Sequence, residues 1–470
     1  MTGDRNASRG GTAPAMASGA AASGRSVVLQ VEPGLGGGVA RHVADLEKLL
    51  HGQATFLRLA PNRGGLLKVS GSAGGAHYFR MPEEFSALAA FLRACGVGGI
   101  HFHHALRLGP RPLELPAALD VPYDFTVHDY YSYCPQITLT DRHFQYCGEP
   151  DEAGCDACLR IRPAAGRESI RDWRARQRIF VEGAARVFVP APGVGQAMRR
   201  HFPGAHIVLA PHPEAPVPAA SRDPVWSSRG GNLKIAVLGS LNAIKGADLL
   251  EAAAQDAASR GLPLEFHLIG YAYRSLSGAA GRLIVHGEYR DQDLPGLLAS
   301  LAPDVAWFPA RWPETYSYTL SAAFQAGLPV AATHLGAFRD RLAGRGLSWL
   351  LPWDADATQW CDFFAALRSG PAAVERHRAR AEKMDMGTFS YARDYLQVRQ
   401  AAAIPAHAAA GFDAYRSAFR PRLPVMFQYL KGYAQDWMRA AYRLPGVRAI
   451  AVRAFPEHRL QMLRRWLDRY

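Results

Sequence analysis

A lysine between an apolar run and a helical pattern is the first residue whose position suggests chemistry. Lys245 follows the apolar segment 233–238 and a turn that begins at Gly239, and a segment of helical periodicity comes next. An ammonium group in such a strand–turn–helix arrangement suits a diphosphate, because the helix N-terminus adds positive potential. Lysine is also rare in this chain, with six among the 54 Lys and Arg residues. The alternative interpretation is a solvated lysine ahead of a helix.

Three adjacent glycines form a second candidate anion site. Gly36, Gly37 and Gly38 follow the apolar run 27–31, and a helical segment begins near Val39. Glycines at such a turn let backbone N–H groups approach a phosphate closely. Their spacing is not the G-x-G-x-x-G pattern of dinucleotide sites, which argues against a nicotinamide enzyme. A tight turn that binds nothing explains the cluster equally well.

A carboxylate precedes another helical pattern. Glu314 follows Pro313 in the segment RWPETYSYTLSAAFQAGLP. One role for it is to cap free N–H groups at a helix N-terminus, where negative charge is favoured. The other role is to face a cleft and accept hydrogen bonds from sugar hydroxyls.

Four of the six cysteines lie within one 25-residue segment. The thiols of a cytoplasmic chain stay reduced, which argues against a disulfide framework. Four thiolates that end in a C-x-x-C pair suit a closed tetrahedral zinc site, which would hold the loop that follows His128. An iron–sulfur cluster and four unrelated thiols are the alternatives. The predicted zinc ligands are Cys134, Cys147, Cys155 and Cys158.

The composition excludes several classes of protein. Apolar residues make up 49% and charged residues 20% of the 470 residues. This excludes a disordered or fibrous chain. No uninterrupted apolar run approaches the 18 or so residues of a membrane span, and the first 25 residues lack the apolar core of a secretory signal. We therefore expect a cytoplasmic protein with a disordered tail at residues 1–25.

The positive charge is concentrated at the C-terminus. The chain carries a net charge of +13, and residues 401–470 contain twelve Arg or Lys against four Asp or Glu. Aromatic residues alternate with these cations, as in helices that pack on a domain or lie on an anionic membrane surface. No nucleic-acid-binding module is visible, so we predict no nucleic-acid partner. The alternative to packing on a domain is that this C-terminal segment makes peripheral contact with the inner face of a membrane.

Short apolar runs alternate with helical segments, which predicts an α/β fold with parallel sheets. Pro and small polar residues dominate 211–231, a composition typical of a linker. The predicted domains are 26–210, with the cysteine-rich insertion 134–158, and 232–400, followed by a basic helical tail at 401–470. A ligand cleft is expected between two such doubly wound domains. The predicted strands are 27–31, 54–59, 77–81, 99–103, 123–128, 187–190, 233–238, 264–269, 283–286, 304–308 and 329–333.

The order of these segments resembles the glycosyltransferases of the GT-B fold, retaining family 4 (glycosyl transferases group 1). The matching residues span 27 to about 345. The block from Pro313-Glu314 to Gly327-Leu-Pro329-Val is the most specific, and the glycine loop 34–38 is the least. The strand end Thr-Val-His128-Asp and the turn Gly239…Lys245-Gly246 complete the match.

The resemblance implies transfer of a sugar from a nucleotide-diphosphate donor with retained anomeric configuration and no catalytic metal. It implies a nucleotide-sugar site in the C-terminal domain. The N-terminal domain would bind a glycan or lipid-linked acceptor in cell-surface polysaccharide synthesis. Two doubly wound Rossmann-like domains would then face a cleft.

The resemblance also assigns roles to individual residues. Lys245 matches the residue that neutralises the leaving diphosphate, Glu314 a glutamate near the donor sugar, and His128 a histidine near the reacting centre. His101, His103 and His104 lie in the region before the acceptor site, where a structural or acceptor-contact role is preferred over metal binding. The other residues expected to bind the donor are Gly36, Gly37, Gly38, Gly239, Ser240, Thr315, Tyr316 and Ser317.

Two residues depart from the family pattern. Ala322 replaces the second glutamate of the family's pair, which grips the nucleotide ribose, and Ser240 replaces an arginine beside the diphosphate lysine. Arg274, Arg290 or Arg311 could supply the missing cation. The alternative function is a catalytically silent relative that binds a sugar or a partner.

Overall fold

The computed structural model describes residues 26–71, 75–214, 223–226, 230–380 and 389–397. Of these, 26–126 and 390–397 form one compact unit, and 127–389 form the other. The predicted tails at 1–25 and 401–470 and much of the predicted linker lie outside the described residues. The disorder of the first tail, the membrane contact of the second and the domain boundaries therefore stay predictions.

The first unit is built on a mixed sheet. Within it, six strands hydrogen-bond in the order β4-β3-β2-β1-β5-β6. β1 is parallel to β2 and β5, whereas β3 is antiparallel to both of its neighbours. The central strand β1 is apolar and buried along almost its whole length, as parallel strands covered on both faces are. The strands are β1 Ser26–Val31, β2 Ala54–Pro61, β3 Leu66–Gly71, β4 Ala76–Arg80, β5 Val97–Phe102 and β6 Tyr123–Thr126.

Three helices accompany this sheet: α1 Gly37–Leu49, α2 Phe85–Ala94 and α3 Leu115–Leu119. The glycine loop leads directly into α1. Gly36 and Gly37 have φ angles of +73° and +67°. L-residues rarely adopt this conformation, so the loop needs glycine for its backbone rather than for space. Helix α1 buries Val43 and Leu46.

The second unit contains two groups of parallel strands. β7 Arg186–Val189 pairs with β8 Ile207–Leu209. A separate six-stranded sheet has the order β11-β10-β9-β12-β13-β14, and all of its pairs are parallel. Its strands are β9 Leu233–Leu241, β10 Leu264–Ala272, β11 Leu283–Val285, β12 Val305–Phe308, β13 Val330–Thr333 and β14 Ser348–Leu351.

Helices cover the second unit's sheets, and aromatic side chains fill its core. Trp307, Trp349 and Trp360 are fully buried with the aliphatic residues of β9 and β10. The chain then re-enters the first unit, where a short helix lies at Tyr391–Asp394. The second unit's helices are α4 Glu152–Ile161, α5 Ile170–Glu182, α6 Pro192–His201, α7 Ala247–Ser259, α8 Leu294–Leu301, α9 Tyr318–Gln325, α10 Ala337–Leu342 and α11 Ala357–Arg368. The short helix of the first unit is α12 Tyr391–Asp394.

The predicted α/β class with two Rossmann-like parallel sheets is confirmed. All eleven predicted strands are present within a few residues, but β3, β8 and β14 were not predicted. The antiparallel edge formed by β3 and β4 corrects the expectation of purely parallel sheets. Short strands such as the three-residue β8 carry too little pattern to distinguish them from loops.

None of the described helices combines the length and the apolar character needed to cross a membrane.

Candidate active site

A tight turn at the end of β9 fixes the backbone of Lys245. The Asn242 side-chain oxygen accepts a hydrogen bond from the Lys245 N–H at 3.0 Å. Gly246 has a φ of +85°, and a Cβ there would lie 2.2 Å from the Pro309 carbonyl oxygen. Only glycine fits this position, so the turn brings Lys245 to the start of α7. The predicted strand–turn–helix arrangement is therefore present.

Lys245 and Glu314 form an ion pair. Lys245 Nζ lies 3.2 Å from Glu314 Oε1, and the Trp312 indole N–H donates to the same oxygen at 3.1 Å. The Glu314 side chain is 12% exposed, whereas that of Lys245 is 44% exposed. The carboxylate is thus held by the protein, while the ammonium group still reaches solvent.

Glu314 lies in a loop and not in a helix. Helix α9 begins at Tyr318 and has no acidic residue in its first turn. The interpretation of Glu314 as a helix cap is therefore wrong. The chain cannot turn helical earlier, because Ser317 has a φ of +72°, which lies in the left-handed region.

Two hydrogen bonds to backbone carbonyl oxygens hold the loop formed by residues 314–317. The Thr315 hydroxyl donates to the His128 carbonyl oxygen at 2.7 Å. The Ala337 N–H donates to the Glu314 carbonyl oxygen at 2.7 Å. Beside it, Gly336 has a φ of +54°, and a Cβ there would lie 2.5 Å from the same carbonyl oxygen. The structure therefore brings His128 and the 314–317 loop together, although they are far apart in the sequence.

A row of aromatic rings, each tilted relative to the next, connects His128 with the loop. The His128 and His212 ring centroids are 4.9 Å apart, and those of His212 and Tyr316 are 4.6 Å apart. Burial raises the pKa of Tyr316 to about 12, against a smaller lowering effect of Arg341. The Tyr316 hydroxyl therefore stays protonated and donates to Glu214 at 2.6 Å.

The predicted donor residues at the end of β9 adjoin the start of α9. Gly239 has a φ of +101°, and a Cβ there would lie 3.2 Å from Thr319 Cγ2. Its neighbour Ser240 is exposed, and Gly270 lies opposite Gly239 in the β9–β10 register. The first turn of α9 thus packs against the same strand end that leads to Lys245.

The predicted glycine loop and the three predicted histidines 101, 103 and 104 lie in the first unit. Gly36 is the N-cap of α1, and Gly37 and Gly38 are the first two residues of that helix. Of the histidines, His101 lies between the hydroxyls of Tyr395 and Thr126, with distances of 2.8 and 2.7 Å.

A second histidine of this unit joins a chain of buried polar side chains. His103 Nε2 lies 2.9 Å from the Gln30 oxygen, and Gln30 donates to Glu47, which also pairs with Arg58. His104 Nδ1 accepts the Leu106 N–H. These partners support the structural interpretation of the three histidines.

Three contacting residues were not predicted from the sequence: Trp312, Glu214 and Arg341. Trp312 lies inside the segment RWPETYSYTLSAAFQAGLP, but the sequence does not indicate that its indole N–H binds Glu314. Glu214 falls in the proline-rich stretch predicted as a linker, and Arg341 belongs to no motif. Their roles depend on tertiary contacts that sequence patterns do not carry.

The arginines considered as replacements for the missing phosphate cation have other partners. Arg274 pairs with Asp248 at 2.5 Å and with Glu251 at 2.6 Å. Arg290 pairs with Asp293. Arg311 donates to the carbonyl oxygens of residues 353 and 355. None of these contacts directs a guanidinium toward Lys245.

The Arg274–Glu251 pair gives a prediction for pH-dependent stability. Burial acts to raise the pKa of Glu251, but hydrogen bonds from Arg274 and the Ser277 N–H outweigh it and lower the pKa. The resulting stability is present above the unfolded pKa of about 4.3 and is lost as the pH falls through the folded pKa. We expect Glu251→Gln to cost about 1–2 kcal/mol at pH 7, measured by urea unfolding.

This cost should be smaller at pH 3 than at pH 7, because the Glu251 carboxylate takes up protons as the pH falls toward its lowered pKa. Glu288→Gln serves as the control, because Glu288 is exposed. An equal cost of Glu251→Gln at both pH values would show that the pair does not stabilise through charge.

The four clustered cysteines surround one small region of the second unit. Each thiol interacts electrostatically with the other three, and none forms a disulfide. Helix α4 carries Cys155 and Cys158 three residues apart, which places them on one face. Burial raises the pKa of Cys134 to about 12, and Arg174 lies 3.8 Å from Cys155 Sγ. In the described part of the chain, no three of these sulfurs lie within 4.8 Å of one another.

Comparison with known proteins relates these features to one family. No curated protein matches the chain. The sucrose-phosphate synthase tll1590 from Thermosynechococcus elongatus has a TM-score of 0.50 at 15% identity, over 84% of this chain and 99% of that one. Anabaena Alr3699/HepE, solved with UDP and glucose, has a TM-score of 0.48 at 12% identity, over 88% of this chain and 100% of that one. At these identities the likeness to the synthase shows the fold alone.

The family comparison covers the part of the second unit that holds Lys245 and Glu314. Residues 232–366 match the model of the family described as "Glycosyl transferases group 1". This range contains β9, the Lys245 turn, the 314–317 loop and α9. The part of the second unit that holds the six-stranded sheet is therefore similar to the glycosyl transferases group 1 family.

Proposed function

We propose that the protein transfers a sugar from a nucleoside-diphosphate donor to a glycan or lipid-linked acceptor, with retention of configuration, in cell-surface polysaccharide synthesis. The observation that carries the proposal is the Lys245–Glu314 pair, 3.2 Å long, inside a glycosyl transferases group 1 domain. The half-exposed ammonium group is available to a phosphate, and the buried carboxylate is held ready for sugar hydroxyls.

The leaving diphosphate would lie between Lys245 and the start of α9. The helix dipole places positive potential at residues 317–319, and Gly239 leaves the strand end open for a close backbone approach. As the bond from the anomeric carbon to the phosphate oxygen breaks, negative charge grows on the diphosphate. Lys245 would stabilise that charge, and this is how it would accelerate the reaction.

Glu314 and His128 would act on the sugar side. When a phosphate takes the Lys245 ammonium group, Glu314 Oε1 keeps its hydrogen bond from Trp312 and can accept one from a donor-sugar hydroxyl. His128 is joined to the loop through Thr315, which supports a position near the reacting centre. We propose that no catalytic metal takes part.

The nucleotide-binding step has a direct test. We expect one of UDP, GDP, ADP or TDP to raise the melting temperature of the full-length protein, with CMP as the monophosphate control. A ligand at 100 times its dissociation constant adds about 2.7 kcal/mol to stability. Melting curves with each nucleotide measure this. A protein that none of the diphosphates stabilises would contradict the proposal.

A second candidate function is a silent relative that binds a sugar or a partner without turnover. Ala322 and Ser240 favour it, because neither side chain can replace the carboxylate or cation of the family pattern. Consumption of a nucleotide sugar separates the two functions.

We also propose that the four cysteines bind a structural zinc ion. Their mutual proximity, the absence of disulfides and the all-sulfur donor set support this. Zinc–sulfur bonds of about 2.3 Å would bring the sulfurs to about 3.8 Å from one another, so the ion would draw the segment 134–158 together. The same segment follows His128, and the ion would thereby help shape the acceptor side of the site.

A further inference from the structure

An arginine holds the backbone of the 314–317 loop from behind. Arg341 Nη1 donates to the carbonyl oxygens of Tyr316 and Ser317, each at 2.9 Å. Its guanidinium carbon lies 4.1 Å from the centre of the Tyr316 ring, within cation–π range. A single planar group therefore fixes two successive peptide units and one side chain of the loop.

The arginine is itself held by a closed ring of hydrogen bonds. Arg341 Nη2 donates to Ser321 Oγ at 2.8 Å, and the Ser321 hydroxyl donates to Glu214 Oε1. The Tyr316 hydroxyl donates to that same oxygen at 2.6 Å. The ring thus runs from Arg341 through Ser321, Glu214 and Tyr316 back to Arg341. Among the described residues, the buried Glu214 Oε2 has no hydrogen-bond partner.

The residue that most needs this support is Ser317. Its φ of +72° and ψ of +92° are unfavourable for a residue with a side chain, and it directly precedes α9. Because its carbonyl oxygen is bound by Arg341, the peptide unit between Ser317 and Tyr318 has a fixed direction. That direction sets where the first N–H groups of α9 point.

We propose that Arg341 is a positioning residue, which with Ser321 and Glu214 keeps the 314–317 loop and the first turn of α9 in the geometry that receives the donor diphosphate. The inference rests on the proposed function for its ligand, but the contacts themselves do not. Lysine cannot replace arginine here, because an ammonium group lacks the planar fork that reaches both carbonyls and stacks on the ring.

The experiment compares Arg341→Met and Arg341→Lys with a matched control, Arg345→Met. Arg345 also stacks on a ring of α9, 4.5 Å from the centre of Phe324, and it donates to Leu328 and Ser348. Among the described residues, the hydrogen bonds and ring contact of Arg345 do not reach the 314–317 loop. Two quantities are measured in the full-length protein. They are the hydrogen–deuterium exchange of peptides covering 314–322 without ligand, and the dissociation constant of the nucleoside diphosphate that stabilises the wild-type protein.

We expect both Arg341 variants to exchange faster at 316–320 and to bind the nucleotide about tenfold more weakly, with no rescue by lysine. Arg345→Met should lower the melting temperature while exchange at 316–320 and the dissociation constant stay at wild-type values. Wild-type exchange and wild-type affinity in Arg341→Met would overturn the inference. If Arg341→Met does not fold, Ser321→Ala removes one link of the ring and is judged by the same two measurements, with smaller expected changes.

A different set of results would contradict the proposed function. A wild-type protein that binds no nucleoside diphosphate contradicts the proposed function, and the exchange comparison then decides the positioning role alone. A wild-type protein that binds the nucleotide, together with an Arg341→Met variant of equal affinity and equal exchange, contradicts only the positioning role.

Discussion

Lys245→Met is expected to reduce kcat for sugar transfer by about 10²-fold or more. The substitution keeps the aliphatic stem and removes the ammonium group that would neutralise the leaving diphosphate. Lys245 is 44% exposed, so we expect the melting temperature to change little. Initial rates with the donor whose nucleotide stabilises the protein measure the effect.

Lys234→Met is the matched control. Lys234 is the second residue of the same strand, β9, and its ammonium group contacts the carbonyl oxygen of Leu301 instead of the 314–317 loop. Its kcat should equal that of the wild-type protein. Glu314→Gln gives a complementary variant, because the amide oxygen can still accept the Trp312 N–H while the ion pair is lost. Near-normal turnover in both Lys245→Met and Glu314→Gln would remove the pair from the mechanism.

The double substitution Cys155→Ser with Cys158→Ser is expected to abolish zinc binding and to lower the melting temperature by roughly 5 °C. Both residues lie on one face of α4, so two of the four proposed ligands are lost at once. The wild-type protein, purified without chelator, should contain about one zinc ion per chain. Elemental analysis by mass spectrometry and a melting curve measure the two effects.

Cys95→Ala controls for the loss of a thiol outside the cluster, since Cys95 is buried in the first unit. It should keep the wild-type zinc content. Iron in place of zinc would favour the alternative of an iron–sulfur cluster. A wild-type protein that holds neither metal, even after purification with added zinc, would contradict the metal site.

The sequence was sufficient for the parts of the site that depend on local structure. The turn at Lys245 was predictable because a strand, an obligatory glycine and a helix follow one another along the chain. The same holds for the glycine loop before α1, whose positive φ angles only glycine adopts readily. Residue type and order are enough to indicate such features.

The parts that depend on tertiary contacts were not predictable. Helix α9 starts later than its pattern suggests, because Arg341 holds Ser317 in a left-handed conformation. Glu214 looked like a linker residue, yet it accepts hydrogen bonds from Tyr316 and Ser321. β3 was missed because only two of its residues, Leu67 and Val69, are buried, which leaves a short apolar pattern. The local sequence carries no pattern that indicates a hydrogen-bond partner far away in the chain.

The most direct test of the central claim is donor consumption followed by proton NMR. The purified protein is mixed with the sugar forms of the nucleotide that stabilises it, together with a cell-envelope glycan extract as acceptor. We predict release of the nucleoside diphosphate from one donor and a new anomeric signal of the same configuration, both reduced at least about 10²-fold in Lys245→Met. A protein that binds the nucleotide but consumes none of its sugar forms would contradict the account, and the silent relative would take its place.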